Sequence, residues 1–502
     1  MHSLPHRRPN RLLLCITALT CLWATKTFAA ENEAPAQKSS DDNDRAYFRS
    51  AGNLPTGSLG TFFQEGPVGG IWQREQLLGD MGGLRPYLGS YGIAFSLQET
   101  SEILGNVSGG IKQSAAYDGL TTATLQLDTK RAFGWYGGTF NVSALHVHGS
   151  NLSASNLANL QTASGIEADN GFRLWEAWYD QAFFYNKMDV KIGQQSLDQE
   201  FMNSQYAGLF VNTMFGWPML PSADLLSGGP AYPLASPGVR VRLQPNGPFS
   251  LLAGVFDDNP GGPCEGGDSQ LCDRRGTDFR IFDAPLFIAE LQYSHPAMSE
   301  LEYSGKDPAL PGTYKLGFWY DTGKYADQHY GRDGLSFADP GSSGDPGLHR
   351  GNYSIYAVVD QLLWRENPQS DKGLGFFFRG MVAPQDRNLI NMSLNAGFTF
   401  REPFEHREDD VFGIGVGYAN VSNSASSLDR DMTANGTPTL KRSGETFVEA
   451  TYQYQLAPWL GLQPDFQYVF NPGGGLINPN DPTGTRKVGN EAIFGLRTNI
   501  SF

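Results

Sequence analysis

The last eleven residues of the chain alternate between two kinds of side chain, and this alternation constrains the fold more than any other feature. Residues 492–502 read AIFGLRTNISF, with apolar side chains at Phe494, Leu496, Ile500 and Phe502 and mostly small or polar ones between them. Because the side chains of a strand point alternately to its two faces, the segment predicts a strand with one apolar and one polar face. A strand of this kind that finishes on phenylalanine is typical of an outer-membrane β-barrel, although soluble sandwiches also contain such alternation.

The rest of the chain repeats this texture of short strands and turns, from about residue 92 to the end. The pattern predicts about sixteen strands, at 92–104, 117–128, 134–147, 171–184, 187–195, 236–244, 248–257, 280–294, 313–324, 352–363, 371–383, 388–401, 411–421, 443–456, 458–471 and 488–502. The predicted fold class is therefore all-β, an antiparallel transmembrane β-barrel of the outer-membrane porin type.

The connections between these strands support the same class. Tight turns, such as Asn186-Lys187 and Asn246-Gly247, alternate with long connections at 148–170, 196–235, 258–279, 325–351, 422–442 and 472–487. Short turns at one rim and long loops at the other are expected of an outer-membrane barrel. Two connections depart from the pattern, because 384–387 is short where a loop is expected and 295–312 is long where a turn is expected.

The segment before the barrel divides into three parts. Residues 1–30 have a basic start, an apolar run at Leu12–Trp23 and small residues up to Ala30, which together predict an export signal peptide. Residues 31–61 are polar and predict a flexible leader. Residues 62–91 predict a periplasmic lid or plug, and residues 92–502 the barrel. No stretch of the exported chain reaches eighteen apolar residues, so no transmembrane helix is predicted.

The charge of the chain excludes some partners. It carries 37 Lys and Arg against 52 Asp and Glu, a formal net charge of −15. The predicted signal peptide contains four basic residues and no acid, so the exported chain would carry about −19. Nucleic acid is an unfavourable partner for so acidic a chain. The acidity is explained either by solvated surface loops or by an inner surface that disfavours anions.

Two of the four cysteines remain after removal of the predicted signal peptide. Cys264 and Cys272 lie in a segment rich in Gly and Asp, and in an exported protein this spacing predicts a disulfide within one loop. A metal site would need further Cys or His residues close by. The sequence therefore predicts neither a metal nor a cofactor.

Alternation also identifies charged residues that should face the inside of the barrel. Where neighbouring positions are clearly apolar, the residues on the opposite face are Arg240, Arg242, Glu290, Arg379 and Asp465. The segment 173–180 is ambiguous: the register that we favour directs Glu176, Trp178 and Asp180 inward, and the reversed register directs Arg173 inward instead. These side chains either pair across the wall as struts or line a narrow part of the pore.

Two further segments admit alternative interpretations. Residues 196–235 are too apolar for a free loop, and they either cap neighbouring loops or fold into the lumen, which we favour. His146 and His148 lie near Ser150 and Ser153, which raises the alternative of a barrel lipid hydrolase. Two histidines on one strand face are more often part of a polar rim.

Two motifs resemble those of a known family. The first is LLGDMGGLR at 77–85 with Gly92-Ile93 after it, and the second is QPDFQY at 463–468 followed by NPGG at 471–474. With these motifs, residues from about 70 to 502 resemble the carbohydrate-selective porins of the OprB family. One departure is Met81, where the family usually has Trp, and it concerns the packing of the lid.

The resemblance implies a function. It implies passive, selective diffusion of sugars or polyols across the outer membrane of a Gram-negative bacterium, with no catalysis and no cofactor. The inward residues of the preceding paragraphs would then be pore-lining groups, with donors and acceptors for hydroxyl-rich solutes and a Trp ring for flat sugar faces. A porin for other small solutes, or an adhesive surface protein, are the alternatives. The sequence leaves the sugar and the oligomeric state, monomer or trimer, open.

Overall fold

The computed structural model describes residues 70–245, 247–262, 264, 267–279, 284–295, 310–367, 370–437 and 439–502. The predicted signal peptide and leader, the first residues of the predicted lid at 62–69, Asn246 of the predicted turn and most of the connection 295–312 lie outside the described residues.

The described chain forms sixteen strands that close into one antiparallel barrel, in which every strand pairs with its sequence neighbours and β1 pairs with β16. The strands are β1 Ile93–Ser108, β2 Ala115–Asp128, β3 Gly138–Gly149, β4 Gly171–Phe183, β5 Met188–Gln195, β6 Ser236–Leu243, β7 Phe249–Asp257, β8 Pro285–His295, β9 Gly312–Gly331, β10 Pro346–Arg365, β11 Gly373–Val382, β12 Ile390–Arg401, β13 Val411–Val421, β14 Glu445–Ala457, β15 Leu460–Phe470 and β16 Glu491–Ser501. The predicted fold class is confirmed.

Short helices lie in the connections and before the first strand. They are α1 Leu84–Ser90, α2 Thr129–Phe133, α3 Leu152–Asn156, α4 Thr213–Gly216, α5 Met219–Asp224, α6 Ser269–Cys272 and α7 Asn423–Ala434. Asp128 shows how the sequence starts one of them, because its carboxylate accepts from the amides of Lys130 and Arg131 at the first turn of α2. No helix in the described part of the chain is long and apolar enough to cross a membrane.

The two ends of the barrel differ as the connections predict. The β4–β5 and β14–β15 connections are tight and lie at one end, which we call the short-turn rim, together with the start of β1 and the end of β16. The connections at 150–170, 196–235, 258–284, 422–444 and 471–490 lie at the opposite end, the long-loop rim. The connection 383–389 also lies there and is short, as its sequence indicates.

The closing strand has the predicted two faces. Phe494 and Leu496 are about half exposed on the outside of the barrel, whereas Ile493 is fully buried on the inside. Asn499 also faces inward, where its Oδ1 accepts from the Thr100 hydroxyl of β1 at 3.0 Å. The backbone N of Phe502 donates to Leu97 O at 2.9 Å, which ties the end of the chain to β1.

Two strands are longer than predicted. The predicted strands 313–324 and 352–363 are parts of β9 and β10, so the predicted loop 325–351 shortens to 332–345. Lys324, the last residue of the predicted strand, pairs with Arg350 in the extension of β10, and a register shift lies between Arg350 and Asn352. Polar outward residues and a shifted register both remove the apolar alternation, and this is why the sequence pattern ends too early.

The described residues before β1 run along the short-turn rim. Leu77 N donates to Ser501 O at 2.8 Å, and Arg85 donates to Phe95 O and to Phe502 O. The Trp72 ring stacks on Trp459 with centroids 6.0 Å apart. These contacts bind the segment with the LLGDMGGLR motif to the first strand and to the end of the last strand. Its role as a lid or plug stays a prediction.

Candidate functional site

The connection between β5 and β6, residues 196–235, lies inside the barrel, and we call it the inner loop. Its amides are held by carboxylates on distant strands: Val211 N and Asn212 N donate to Glu449 of β14 at 2.6 and 3.0 Å, and Met202 N donates to Glu290 of β8 at 2.9 Å. A loop that hydrogen-bonds β8 and β14 after leaving β5 must cross the lumen. The interpretation favoured from the sequence is confirmed.

Arg379 of β11 holds the same loop from the other side. Its guanidinium donates to the carbonyl oxygens of Met202, Met214, Phe215 and Gly216 at 2.5–3.0 Å, and to Asn395 Oδ1 at 3.2 Å. The side chain is 1% exposed. Because a fixed fork of donors suits several carbonyls at once, Arg379 orders the inner loop and is shielded from passing solute.

An aromatic cluster fills the space between the inner loop and the wall. The rings of Phe210 and Phe215 lie 4.4 Å apart and contact Phe377 of β11 at 5.5 and 5.6 Å, while Phe215 also meets Phe447 of β14 at 5.3 Å. The inner wall is therefore apolar under the loop. Burial of these rings supplies the main driving force that keeps the loop inside the lumen.

Glycines on β13 make room for these rings. A Cβ placed on Gly415 would lie 2.6 Å from Phe215 Cζ, and one on Gly413 would lie 2.9 Å from Phe210 Cζ. Real Cβ atoms do not approach this closely. Gly413 and Gly415 therefore make room for the inner loop, and Gly417 makes room for Phe447 of β14, in agreement with their position on the inner face of a strand.

The connection between β3 and β4, residues 150–170, also turns inward and supports the inner loop. Leu160 N and Gln161 N donate to Glu445 at 2.7 and 2.8 Å, and Ala158 N donates to Glu491 Oε1 at 3.0 Å. Thr213 of the inner loop donates through its hydroxyl to Ser164 O at 2.5 Å. Backbone amides paired with wall carboxylates are thus a recurring device inside this barrel.

Charged side chains meet where Glu200 of the inner loop reaches β4–β6, toward the short-turn rim. We call this set the charged cluster: Asp180, Asp189, Lys191, Glu200, Arg240 and Arg242. Arg240 bridges Asp189, Glu200 (Nε–Oε2 2.5 Å) and Asp180 (Nη2–Oδ2 3.5 Å). Arg242 Nε lies 2.7 Å from Asp189 Oδ2, and Lys191 pairs with Glu200. Three cations against three carboxylates leave the cluster close to neutral.

The cluster also includes an aromatic face. Lys191 Nζ lies 4.2 Å above the centre of the Trp178 ring, within the range of a cation–π contact. Side-chain exposure separates the groups that a solute can reach from those it cannot: Arg242 is 12%, Asp180 13% and Glu200 12% exposed, against 2% for Arg240. Donors, acceptors and a ring are therefore adjacent on one stretch of the inner wall.

A β-bulge resolves the ambiguous register of β4. Ser143 of β3 pairs with Glu176 and Ala144 pairs with Leu174, so Trp175 is an extra residue in β4. The extra residue switches which side chains of β4 point inward, so Arg173 and Glu176 are both buried on the inside. The expectation that one of the two registers holds throughout the strand is wrong, because one inserted residue allows both.

These two residues bind loops in the structure. Glu176 Oε1 accepts from Ser196 N at 3.0 Å, where the inner loop begins. Arg173 Nη2 donates to Gln270 O of the loop that contains α6, at 3.3 Å. In that loop Cys264 and Cys272 form a disulfide with Cα atoms 5.8 Å apart. No cluster of metal-ligating side chains is found among the described residues.

Glu290 faces inward as predicted, but it does not pair with the arginines of β6. In the register Arg242 pairs with Leu252, and Leu252 pairs with Glu290, so an apolar residue stands between them. Glu290 is fully buried and accepts from Met202 N and from the Tyr356 hydroxyl at 3.0 Å. The carboxylate of Asp465 is likewise buried and accepts from Gln467 Nε2 at 2.9 Å.

Sequence analysis named Asp180 but missed the other charged members of the cluster, Asp189, Lys191 and Glu200. Asp189 and Lys191 alternate with Met188, Val190 and Ile192 on β5, so face assignment could have found them. Glu200 lies in the inner loop, where no periodicity indicates the direction of a side chain. Its place in the cluster depends on the path of the loop across the lumen.

One inward loop carries a pH-dependent group. Glu167 lies in the loop that connects β3 to β4. Its side chain is buried there, and its Oε2 accepts from Ser153 N at 3.0 Å. Burial raises the pKa of Glu167 from 4.5 to about 8. Because the folded-state pKa lies above the unfolded one, protonated Glu167 stabilises the fold fully below pH 4.5, and this stabilisation is lost as the pH rises through 8.

We therefore expect Glu167→Gln to remove part of the pH dependence of stability. In detergent, the thermal midpoint of the wild type should fall between pH 5 and pH 8.5 by more than that of the variant. Glu405→Gln, at an exposed acid of the short-turn rim, is the matched control and should follow the wild type. Equal slopes for all three proteins would contradict the assignment.

The comparison with known families identifies the chain. The model of the carbohydrate-selective porins, OprB family, matches residues 112–502. The protein belongs to this family. It is therefore a channel of the Gram-negative outer membrane that admits carbohydrates, and it is not an enzyme. The resemblance noted in the sequence motifs, and the expectations of fold, function and location that followed from it, are confirmed.

Relatives and solved structures agree with this placement. The chain is 24% identical over 452 residues to Porin B of Pseudomonas aeruginosa, an alignment that covers 85% of this OprB-family chain and 91% of Porin B. The high-pH structure of Pseudomonas putida OprB superposes with a TM-score of 0.73 at 23% identity, covering 86% of this chain and all of that one. The low-pH structure of the same protein gives a TM-score of 0.52. These structures share the fold.

Proposed function

We propose that this OprB-family porin selects neutral, hydroxyl-rich solutes at the charged cluster, where the inner loop meets β4–β6. The observation that carries the proposal is the near-neutral array of donors and acceptors beside the Trp178 ring, three of which keep 12–13% of their side-chain surface exposed. A sugar offers both donors and acceptors along its edge and a flat apolar face. An ion of either sign meets as many repulsive as attractive groups there.

The reachable groups have separate roles in this proposal. Arg242 presents fixed guanidinium donors to vicinal hydroxyls, and Asp180 and Glu200 accept from them. Arg240 orders the carboxylates because it is buried among them. Trp178 packs against the sugar ring. Binding must remain weak, because a solute that is held tightly blocks conduction.

The predicted site residues under the inner loop act differently. Arg379, Glu290 and Glu176 hold the backbone of the loop, and Arg173 holds the loop with α6. They set the position of the inner loop and do not contact the solute. The earlier alternatives of strut and pore-lining group thus apply to different members of the set.

Single-channel recordings in planar bilayers test this proposal. Arg242→Ala should make the pore more cation-selective and Asp180→Asn more anion-selective, and both should weaken the block of ion current by the preferred sugar. Arg430→Ala, which removes an exposed charge on α7, should change neither property. A panel of sugars, polyols and amino acids of matched size in liposome swelling identifies that sugar. Unchanged ion selectivity and sugar block in both cluster variants would contradict the proposal.

A further inference from the structure

Two cationic side chains lie on the outer face of the barrel at the long-loop rim, above the apolar wall. Lys324 of β9 pairs with Arg350 of β10, and both side chains are exposed. At the alternate positions before Lys324, the side chains of Tyr320, Phe318 and Leu316 are 40–59% exposed. Because alternate residues of a strand share a face, Lys324 continues the lipid-facing side of β9 toward the rim.

A register shift turns Arg350 toward the same face. Asn352 and Ser354 of β10 are fully buried on the inside, and in a regular strand Arg350 would point inward with them. Gly351 has a φ of +80°, which glycine adopts readily, and the pairing with β9 shifts at this point. Arg350 then lies directly opposite Lys324, and paired residues of neighbouring strands share a face. The two cations are therefore side by side on the outer surface.

The side chains of this surface are donors without a protein partner. Neither Lys324 nor Arg350 has a side-chain hydrogen bond or an ion pair with a residue that the structure describes. The Tyr320 hydroxyl lies beside them, because a Cβ placed on Gly351 would be 2.5 Å from it. Tyr353, which pairs with Tyr320, adds a second phenol at the same level. The surface thus offers positive charge and hydroxyl donors to a ligand.

The carboxylates near this surface are paired or distant. Asp327 of β9 lies 2.8 Å from a histidine nitrogen of β10. Asp386 accepts two hydrogen bonds from Arg387, at 2.8 and 2.9 Å. Asp345 precedes β10 and lies five residues before its cation, which is about 16 Å along an extended strand. The outer surface around the two cations therefore attracts an anion.

An apolar groove of about 630 Å³ lies below the cations in the lipid-facing wall of β7–β10. Ala289 of β8 lines it and pairs with the exposed Phe318, so a small side chain stands beside a large one. Tyr320 and Tyr353 line its end toward the long-loop rim, where aromatic side chains of outer-membrane barrels mark the boundary between hydrocarbon and headgroups. Pockets of roughly 300–1,000 Å³ hold small ligands, so the groove has room for part of a lipid chain.

We propose that this surface binds one phosphorylated glycolipid of the outer leaflet. The long loops of such a barrel face the cell exterior, so the cations stand at the level of the outer-leaflet headgroups. Lys324 and Arg350 bind a phosphate of the headgroup, for which an ammonium and a guanidinium fork are suited. The phenol of Tyr320 donates to the same headgroup, and one acyl chain fills the groove beside Ala289. Because both ends of the lipid are held at once, it binds more tightly than lipid of the surrounding bilayer.

Native mass spectrometry of the porin, folded in detergent without lipid and titrated with rough lipopolysaccharide, tests the proposal. Each barrel should bind one molecule, with a higher affinity than for phosphatidylglycerol, which has a phosphate but no saccharide. The double variant Lys324→Ala, Arg350→Ala should bind about tenfold more weakly or worse, because each cation near an anionic lipid contributes separately. Dephosphorylated lipopolysaccharide should bind the wild type with a similar loss. The control Lys372→Ala, Arg401→Ala removes two cations at the short-turn rim and should bind like the wild type.

A second variant tests the groove while keeping both cations. The ring in Ala289→Phe should occupy the space of the acyl chain and weaken binding several-fold. Ala123→Phe, at a small outward residue of β2 that pairs with Leu97 and Ala144, is the matched control and should have no effect. Heat-modified mobility on gels should show folded barrels in every variant.

Two results would overturn the proposal. One is an equal affinity of the wild type and the double cation variant for lipopolysaccharide, and the other is an equal affinity of the wild type for lipopolysaccharide and phosphatidylglycerol. Unchanged binding in Ala289→Phe would show that the acyl chain lies outside the groove, contrary to the proposal. These readouts involve neither sugar block nor ion selectivity, so they are independent of the proposed selectivity site.

Discussion

Arg379→Ala is expected to leave the barrel folded but to release the inner loop. The substitution removes donors from four loop carbonyls that are buried with the guanidinium. A buried carbonyl oxygen that loses its donor costs about 1–3 kcal/mol, and here the cost falls on the loop rather than on the strand ladders. Planar-bilayer recordings should therefore show stronger current fluctuations and a weaker block by the preferred sugar.

Controls separate this effect from a loss of charge alone. Arg379→Lys keeps the positive charge but lacks the fork that reaches several carbonyls, so it should show most of the same defect. Arg401→Ala, at an exposed arginine of β12, should behave like the wild type. Heat-modified mobility on gels should show folded barrels in all three variants. A quiet channel with full sugar block in Arg379→Ala would show that the inner loop holds its place without this residue.

Leu496→Arg is expected to destabilise the barrel itself. Leu496 is about half exposed on the outer face of β16 and pairs with Ile103 and Pro464 in neighbouring strands. An arginine near the bilayer midplane on the lipid face costs roughly 2–4 kcal/mol. Urea titration of the protein folded into lipid vesicles should give a free energy of unfolding that is lower by about this amount.

The matched substitution lies three residues further on the same strand. Asn499 faces the lumen beside Thr100, where water can solvate a guanidinium, so Asn499→Arg should change the free energy of unfolding little. If both variants were destabilised equally, or neither were, the two faces of β16 would be assigned incorrectly.

The sequence determined the class of fold and most of the wall. Strand alternation depends on neighbouring residues only, and most side chains that face lipid are apolar, so patterns such as that of β16 can be interpreted locally. Inward charges on regular strands, such as Arg240 and Arg379, were found in the same way. The limits appeared where alternation breaks: at the bulge beside Trp175, in the extensions of β9 and β10, and on β1, where Glu99 and Ser101 make both faces polar.

Only the tertiary structure decided what the inward charges do. The alternation that directs Arg379 inward is the same as that which directs Arg242 inward, yet the side chain of Arg379 is covered by the inner loop and that of Arg242 stays 12% exposed. The difference arises because residues 196–235 cross the barrel and place Glu200 beside β6 and Met202 beside β8 and β11. Contacts between residues so distant in sequence depend on barrel closure, and no local pattern encodes them.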